Sequence, residues 1–407
     1  MSTRSQQTLV PVTTVTLLAA SLAVVERAHA ADDAMVINVR SLGAKGDGKA
    51  DDTAAFENAV AAGREKRLPV HVPLGTYRLT RTIRLQQQAL TGQIAGGWPS
   101  DSMPLPRLLV DHTDGPALQM GSGSSIHGIA FLYSMDRNVQ RGPTLLLAGQ
   151  GLSITNLRIQ YPYDAIKCAP RKEIGRTNIE NVFIVSPTNE GVQMTMSHDI
   201  TTLRNIEVWC NVGMSKGPAF RFGKNDEISC SNLFAFNAQI GYLFKEDEGE
   251  HGGGTYGTFT NCATDACSLG YVIDGWANIN IVGGDLINHF QSLEVRHPGA
   301  SVSLTGARVQ SNGAPGLLIR RCRSLLVTGC RFGRAFENPD AFMADIGACD
   351  SVSIVGCHFD PRGKGIRLSD RVKRAVVVGN IFEPSAFARI VSEMPQTAPA
   401  QIGNNVE

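Results

Sequence analysis

Residues 322–332, CRSLLVTGCRF, return 27 positions later as residues 349–359, CDSVSIVGCHF. Both stretches fit one short frame: an apolar residue, any residue, Gly or Asn, any two residues, and an apolar residue. The same frame sets Gly or Asn at Gly128, Asn156, Asn181, Asn205, Asn232, Asn261, Gly283, Gly306, Gly329, Gly356 and Gly379, with 22 to 29 residues between successive members. Asn232 and Asn261 keep the spacing but are degenerate at their apolar flanks. A regular period of this length marks a solenoid, in which each unit buries its apolar side only by stacking on its neighbours.

The residues around each bend alternate between apolar and polar, which is the period of a strand. Gly and Asn enter the left-handed conformation that a sharp bend requires more readily than other residues. A second short strand lies between successive frames, as in Ala165–Cys168, Gly191–Met194, Gly270–Ile273 and Gly365–Leu368. The expected fold is therefore all-β: a right-handed parallel β-helix, a single-stranded solenoid of about eleven coils. Leucine-rich repeats, the main rival, want a fixed leucine and asparagine ladder that this pattern lacks.

Outside the repeats the chain divides further. Residues 1–30 carry Arg4, an apolar stretch from Leu9 to Val25 and the small-residue triplet Ala28-His29-Ala30, the layout of a secretory signal peptide. The expected location is thus secreted or periplasmic, and no second long apolar run follows to span a membrane in the mature chain. Residues 35–115 read as an N-terminal cap with the first coils: Asp52 precedes a helix-like run from Thr53 to Gly63, and Pro69–Leu79 reads strand, turn, strand. The parallel β-helix is expected over residues 116–391. A loose tail rich in Pro, Gln and Asn follows over 392–407.

The 38 cationic and 37 acidic side chains nearly cancel, so bulk charge implies no nucleic-acid partner. Nine cysteines leave at least one thiol unpaired, and no tight C-x-x-C pair suggests zinc. Their recurrence at the repeat spacing makes them small apolar residues stacked in core columns.

The stretch SLGAKGDGKADDTAAFENAV, residues 41–60, followed by VHVPLGTYRL, residues 70–79, closely resembles the opening of the pectate-lyase-like superfamily, specifically its rhamnogalacturonase and epimerase-type β-helix proteins, shared with many phage tailspikes. The resemblance implies the coiled fold and a polysaccharide partner. It covers hydrolases, lyases, epimerases and non-catalytic adhesins alike, and the paired aspartates and glycine-flanked histidine of polygalacturonases are missing. Asp47, Asp51 and Asp52 could form a calcium loop, but the structural reading is stronger: Asp52 caps the helix, and the glycines make the tight turn before it.

If the bends are equivalent rungs, residues two and four places after each Gly or Asn point outward. One outward column then reads Arg158, Phe183, Glu207, Phe234, Ala263, Asp285, Arg308, Arg331, His358. The other reads Gln160, Val185, Trp209, Phe236, Asp265, Ile287, Gln310, Gly333, Asp360. Exposed rings at Trp209, Phe234 and Phe236 suit the apolar faces of sugars, Arg308 and Arg331 suit acidic groups, and the carboxylates suit the glycosidic bond. The expected catalytic residues are Asp265 and Asp285, with Glu207 assisting. Neighbouring coils about 4.8 Å apart and a two-residue offset put Asp265 and Asp285 roughly 8 Å apart, a gap suited to inverting hydrolysis. His289 is a further candidate proton carrier. The loop from Lys245 to Gly254, with four acids among glycines, could hold a cation or act as a lid.

The expected function is cleavage of a polysaccharide, neutral or acidic. Hydrolysis is favoured and needs no cofactor; elimination, with calcium possible, epimerisation and glycan binding without turnover stay open. Oligomeric state is not legible.

Overall fold

In the computed structural model, residues 35–93, 97–100, 102–136, 138–245, 253–312, 314–334, 338–384 and 388–406 are described. The signal-like segment and most of the acidic loop after Lys245 lie outside them.

Every one of the eleven bends adopts the left-handed conformation that the repeat demands. The asparagines lie at φ between 51° and 55°, and Gly128, Gly283, Gly306, Gly329, Gly356 and Gly379 between 62° and 68°. The asparagines add a ladder of amide hydrogen bonds from coil to coil: Asn181 to Asn156 at 3.0 Å, Asn205 to Asn181 at 3.1 Å, Asn232 to Asn205 at 3.1 Å and Asn261 to Asn232 at 2.9 Å. Beyond Asn261 glycine replaces asparagine. At Gly283, Gly306, Gly329 and Gly356 an added Cβ would meet nothing within 4 Å, so backbone conformation and not space selects glycine there.

Strands on either side of the bends pair with their equivalents one coil away, and every pairing is parallel, as in Leu157 with Val182, Val182 with Ile206 and Ile206 with Leu233. Among the described residues, thirty-six strands join in this way into one right-handed parallel β-solenoid of about thirteen turns. That is two more than the bends suggested, because the segment before Gly115 and the chain end add coils of their own. Among the described residues no helix is long and apolar enough to cross a membrane.

Inside the coil, side chains stack in columns along the axis. Phe332, Phe359 and Phe382 stack at 4.7 and 4.8 Å, and Phe220, Tyr242 and Tyr271 at 5.0 and 4.3 Å. All nine cysteines are buried and free, and Cys322 pairs with Cys349 across adjacent coils, as core columns require. Burial drives the Cys262 and Cys267 thiols up to about 12, so they behave as apolar groups.

The cap contains one α-helix, α1 (Thr53–Lys66), with Phe56 and Ala59 fully buried against the first coils. Asp52 occupies the position before α1, but it does not cap the helix with its side chain as expected. Its carboxylate turns back to accept from the Lys45 and Gly46 amides at 2.6 and 3.2 Å. The preceding residue Asp51 accepts from the Thr53 amide at 3.0 Å instead. Asp47 likewise accepts from the Lys49 and Ala50 amides, each at 2.9 Å. Asp47 and Asp52 thus hold the glycine turn, while Asp51 holds the start of the helix.

The tail also departs from its expected looseness. Ala400–Gly403 pairs with Ala375–Val378, and Asn405 accepts from the Asn380 amide at 3.0 Å. Composition hid this rung because backbone pairing on an existing coil needs little apolar side-chain surface.

Candidate functional site

The outward columns fall into the expected register. Arg158 pairs with Phe183, Phe183 with Glu207, Glu207 with Phe234 and Phe234 with Ala263. Val185 pairs with Trp209, Trp209 with Phe236, Phe236 with Asp265 and Asp265 with Ile287. Farther along, Asp285 pairs with Arg308, Arg308 with Arg331 and Arg331 with His358.

Outward is not the same as exposed. Arg158 and Phe183 point away from the core yet are only 2% and 6% exposed, because the segment around Trp98 and Ser100 lies over them. The Arg158 guanidinium donates to the Ser100 carbonyl, and the Trp98 ring stands 5.8 Å from Phe183. This segment precedes the repeats, so the columns alone could not reveal it.

The roof ends where the candidate site begins. Phe183 stacks on Trp209 at 6.0 Å with 19° between the rings, Trp209 meets Phe236 at 6.4 Å, and Phe236 stacks on Phe234 at 6.5 Å. Together with Trp98 these rings form an unbroken apolar stripe across neighbouring coils. Its central member, Trp209, is 37% exposed.

Glu207 lies in the strand Thr201–Trp209, two residues before Trp209 and on the same side. It lines a shallow cleft of about 310 Å³ with Trp98, Asn205, Asn232 and Phe234. Burial among these groups raises the Glu207 pKa above the ordinary glutamate value, favouring the protonated carboxyl.

Asp265 continues the stripe one coil beyond Phe236, half-buried in the strand Ala263–Cys267. The chain bends immediately after it at Ala266, which adopts φ 53° without the help of a glycine or asparagine. Asp265 and Asp285 lie on adjacent coils with the expected two-residue offset, so roughly 8 Å separates their Cα atoms. Glu207 and Asp265 are two coils and two residues apart, about 12 Å between Cα atoms.

Asp285 is committed elsewhere, since Arg308 Nη2 lies 2.7 Å from its carboxylate. Arg308 and Arg331 extend the column away from the rings. His289 is exposed just past the strand Asp285–Asn288, and its ring contacts Asn312 at 3.4 Å. The structure thus gathers Glu207, Trp209, Phe234, Phe236 and Asp265 in one patch, with Asp285, Arg308 and Arg331 beyond it.

A second charged group escaped the sequence reading. It sits on the strand set that includes Ile166–Cys168, Val192–Met194 and Pro218–Phe222. Lys167 Nζ lies 3.4 Å from Asp164 and 3.1 Å from Glu190, and Arg221 Nη1 lies 3.5 Å from Glu190. Asp164 also accepts from the Asn189 side chain at 2.8 Å and the Glu190 amide at 3.0 Å. Burial raises the Asp164 pKa in spite of the lysine beside it. Burial works against the Lys167 ammonium, but Asp164 and Glu190 outweigh it and hold its pKa above the usual lysine value. The available signal was the next-to-last residue of each second short strand, Lys167, Gln193 and Arg221, which form an outward column of their own.

Comparison with known proteins places these features. Residues 36–99 match the family model described as Rhamnogalacturonase A/epimerase, pectate lyase-like. The pre-neck appendage protein of Bacillus phage phi29 is 46% identical over 57 residues, 14% of this chain and 6% of the phage protein. Among solved structures, the A-module of a mannuronan C-5 epimerase from Azotobacter vinelandii is similar at TM-score 0.63 and 14% identity, covering 91% of this chain and 98% of the module. Tailspike protein 3 of bacteriophage CBA120 is similar at TM-score 0.61 and 14% identity, covering 91% of this chain and 61% of the tailspike. The chain spans a small fraction of the phage appendage proteins it matches, and the solved structures share its fold at low identity. This chain is a right-handed parallel β-helix protein whose residues 36–99 are similar to the rhamnogalacturonase A/epimerase, pectate lyase-like family model.

Proposed function

We propose that this protein is an exported polysaccharide-active enzyme that seats its glycan along the Trp98–Phe183–Trp209–Phe236–Phe234 stripe and hydrolyses a glycosidic bond beside it. The observation that carries this reading is the position of Glu207, a carboxyl whose pKa burial raises, in a cleft edged by the exposed part of the ring stripe. Rings of this kind cover the apolar faces of sugars, and a protonated carboxyl supplies the proton that a departing glycosidic oxygen needs. The mannuronan C-5 epimerase module among the similar structures is a polysaccharide-active protein of the same fold, which supports a glycan partner.

In this mechanism Glu207 protonates the leaving oxygen. Asp265, the next carboxylate along the stripe, activates water on the opposite side of the sugar. Inverting hydrolysis needs the two carboxyls roughly 6.5–9.5 Å apart, so from Cα atoms about 12 Å apart their side chains must reach toward each other across the coil of Phe234. Asp285, paired with Arg308, shapes the far end of the groove, and Arg308 and Arg331 orient acidic groups on the substrate.

A second reading is favoured by the Asp164–Lys167–Glu190–Arg221 group. Buried acids and cations in contact suit proton exchange at a carbon next to a carboxylate, with Arg221 neutralising that carboxylate, as elimination or epimerisation of a uronate requires.

One experiment separates these readings. The purified protein is incubated with acidic and neutral polysaccharides, and products are followed by reducing ends, ultraviolet absorbance and sugar composition. Hydrolysis releases reducing ends without new absorbance and is abolished by Glu207→Gln. Elimination adds absorbance, and epimerisation changes composition without cleavage; either one, lost on Lys167→Met and kept in Glu207→Gln, moves the chemistry to the other strand face. Binding without any product makes the protein a glycan-binding module.

A further inference from the structure

Between Leu317 and Arg374 the chain carries eleven Lys and Arg against six Asp and Glu, whereas the whole protein is at net +1. Four of these cations, Arg320, Arg321, Arg367 and Arg371, meet at one corner of the coil, away from the ring stripe. There the strands Leu317–Thr328, Asn338–Val355 and Gly363–Leu368 stack on successive coils.

On the middle coil the outward positions are Asp345, whose carboxylate is taken up by Arg367, and then the small residues Gly347 and Ala348, and the coils on both sides carry arginines. Arg321 pairs with Ala348, and Cys349 pairs with Val372, which sets Arg371 opposite Ala348 from the other side. The result is a trench of about 650 Å³, one coil wide, with Asp345 at one end of its floor and Gly347 and Ala348 between Arg321 and Arg371. Arg320 and Arg321 form one wall, Arg367 and Arg371 the other. Two coil spacings put the walls about 10 Å apart at the backbone.

The four arginines are not equivalent. Arg320 is held by Glu294 at 2.5 Å, and Glu294 is itself only 2% exposed at its side chain and also bound by Arg296 at 2.7 Å. Arg367 is held by Asp345 and Glu393, each at 3.2 Å. Arg321 and Arg371 have no ion pair among the described residues. Two guanidiniums are thus anchored and two are left with their charge directed to solvent, facing each other across a floor without side-chain bulk.

We propose that this trench is a second carbohydrate subsite, which takes the carboxylate groups of an acidic polysaccharide. A guanidinium binds a carboxylate through two parallel hydrogen bonds, and an anion between Arg321 and Arg371 relieves the repulsion between them. The subsite does not depend on the ring stripe, since it lies on different strands and uses none of the stripe's residues.

The test is titration calorimetry with polygalacturonate, dextran sulfate and neutral dextran. It is run on the full chain and on the Arg321→Ala/Arg371→Ala protein, each with and without Trp209→Ala. Both arginines are exposed, so the double variant keeps its thermal midpoint. The expected result is a loss of about tenfold or more in polygalacturonate affinity in both backgrounds, with dextran unchanged. Trp209→Ala reports separately on the stripe, so either site can fail while the other stands. An unchanged affinity in the double variant overturns the subsite. So does binding of dextran sulfate without binding of polygalacturonate. Full affinity in Arg321→Lys/Arg371→Lys also overturns it, because it reduces the trench to unspecific positive charge.

Discussion

Replacing Asn205 with alanine strikes the bend ladder at its centre. The Asn205 amide donates to Asn181 and its oxygen accepts from Asn232, both at 3.1 Å, and its backbone sits at φ 54°. One of these hydrogen bonds is half-buried and the other exposed; at up to about 1 kcal/mol net each, alanine forfeits up to about 2 kcal/mol. Alanine also carries a Cβ into the left-handed region, which costs a further 1–2 kcal/mol or so. Asn205→Gly loses the bonds but not the conformation, and should cost about 2 kcal/mol or less. Gly306→Ala, at φ 65° with nothing near its new Cβ, isolates the conformational part at about 1–2 kcal/mol. Denaturant unfolding should therefore rank Asn205→Ala as the most damaging, with the other two closer to wild type. If Asn205→Ala proved no worse than Gly306→Ala, the amide ladder would contribute nothing and the reasoning would fail.

Other outcomes follow from the site. Trp209→Ala removes the exposed ring between Phe183 and Phe236 and should weaken glycan binding about tenfold, read by calorimetry, with little change in thermal midpoint. Because the folded Glu207 pKa is raised, its contribution to stability is full below the unfolded glutamate value and is lost as pH rises through the raised value. Glu207→Gln should flatten that part of a pH–stability profile, and superimposable profiles would count against a buried, protonated Glu207. Ala266→Asn places at φ 53° the residue type found at the equivalent Asn237 one coil earlier, and should stabilise the protein by up to about 1 kcal/mol in chemical denaturation.

The solenoid was legible because its bends need a conformation that few residues adopt cheaply, so Asn and Gly mark it in the letters of the chain. The register followed directly: once Asn205 and Asn232 are equivalent, Glu207 must lie beside Phe234, and it does. What stayed hidden depends on contacts between segments far apart in sequence. Nothing in the repeat says that Trp98 and Ser100 close over Arg158 and Phe183. Asp52 likewise looked like a helix cap by its position, yet the nearby Lys45 and Gly46 amides compete successfully for its carboxylate. The Asp164–Lys167 group was missed for another reason: its members sit on the second strand of each coil, whose outward column went unread.

The claim on which the functional account rests is that a glycan lies across Glu207 on the ring stripe. The position of an oligosaccharide in a crystal of the Glu207→Gln protein tests it most directly. The account places successive sugar rings on Trp209 and Phe236, with a glycosidic oxygen within hydrogen-bonding distance of residue 207. A sugar seated instead over Lys167 and Glu190, with the aromatic stripe bare, would contradict it.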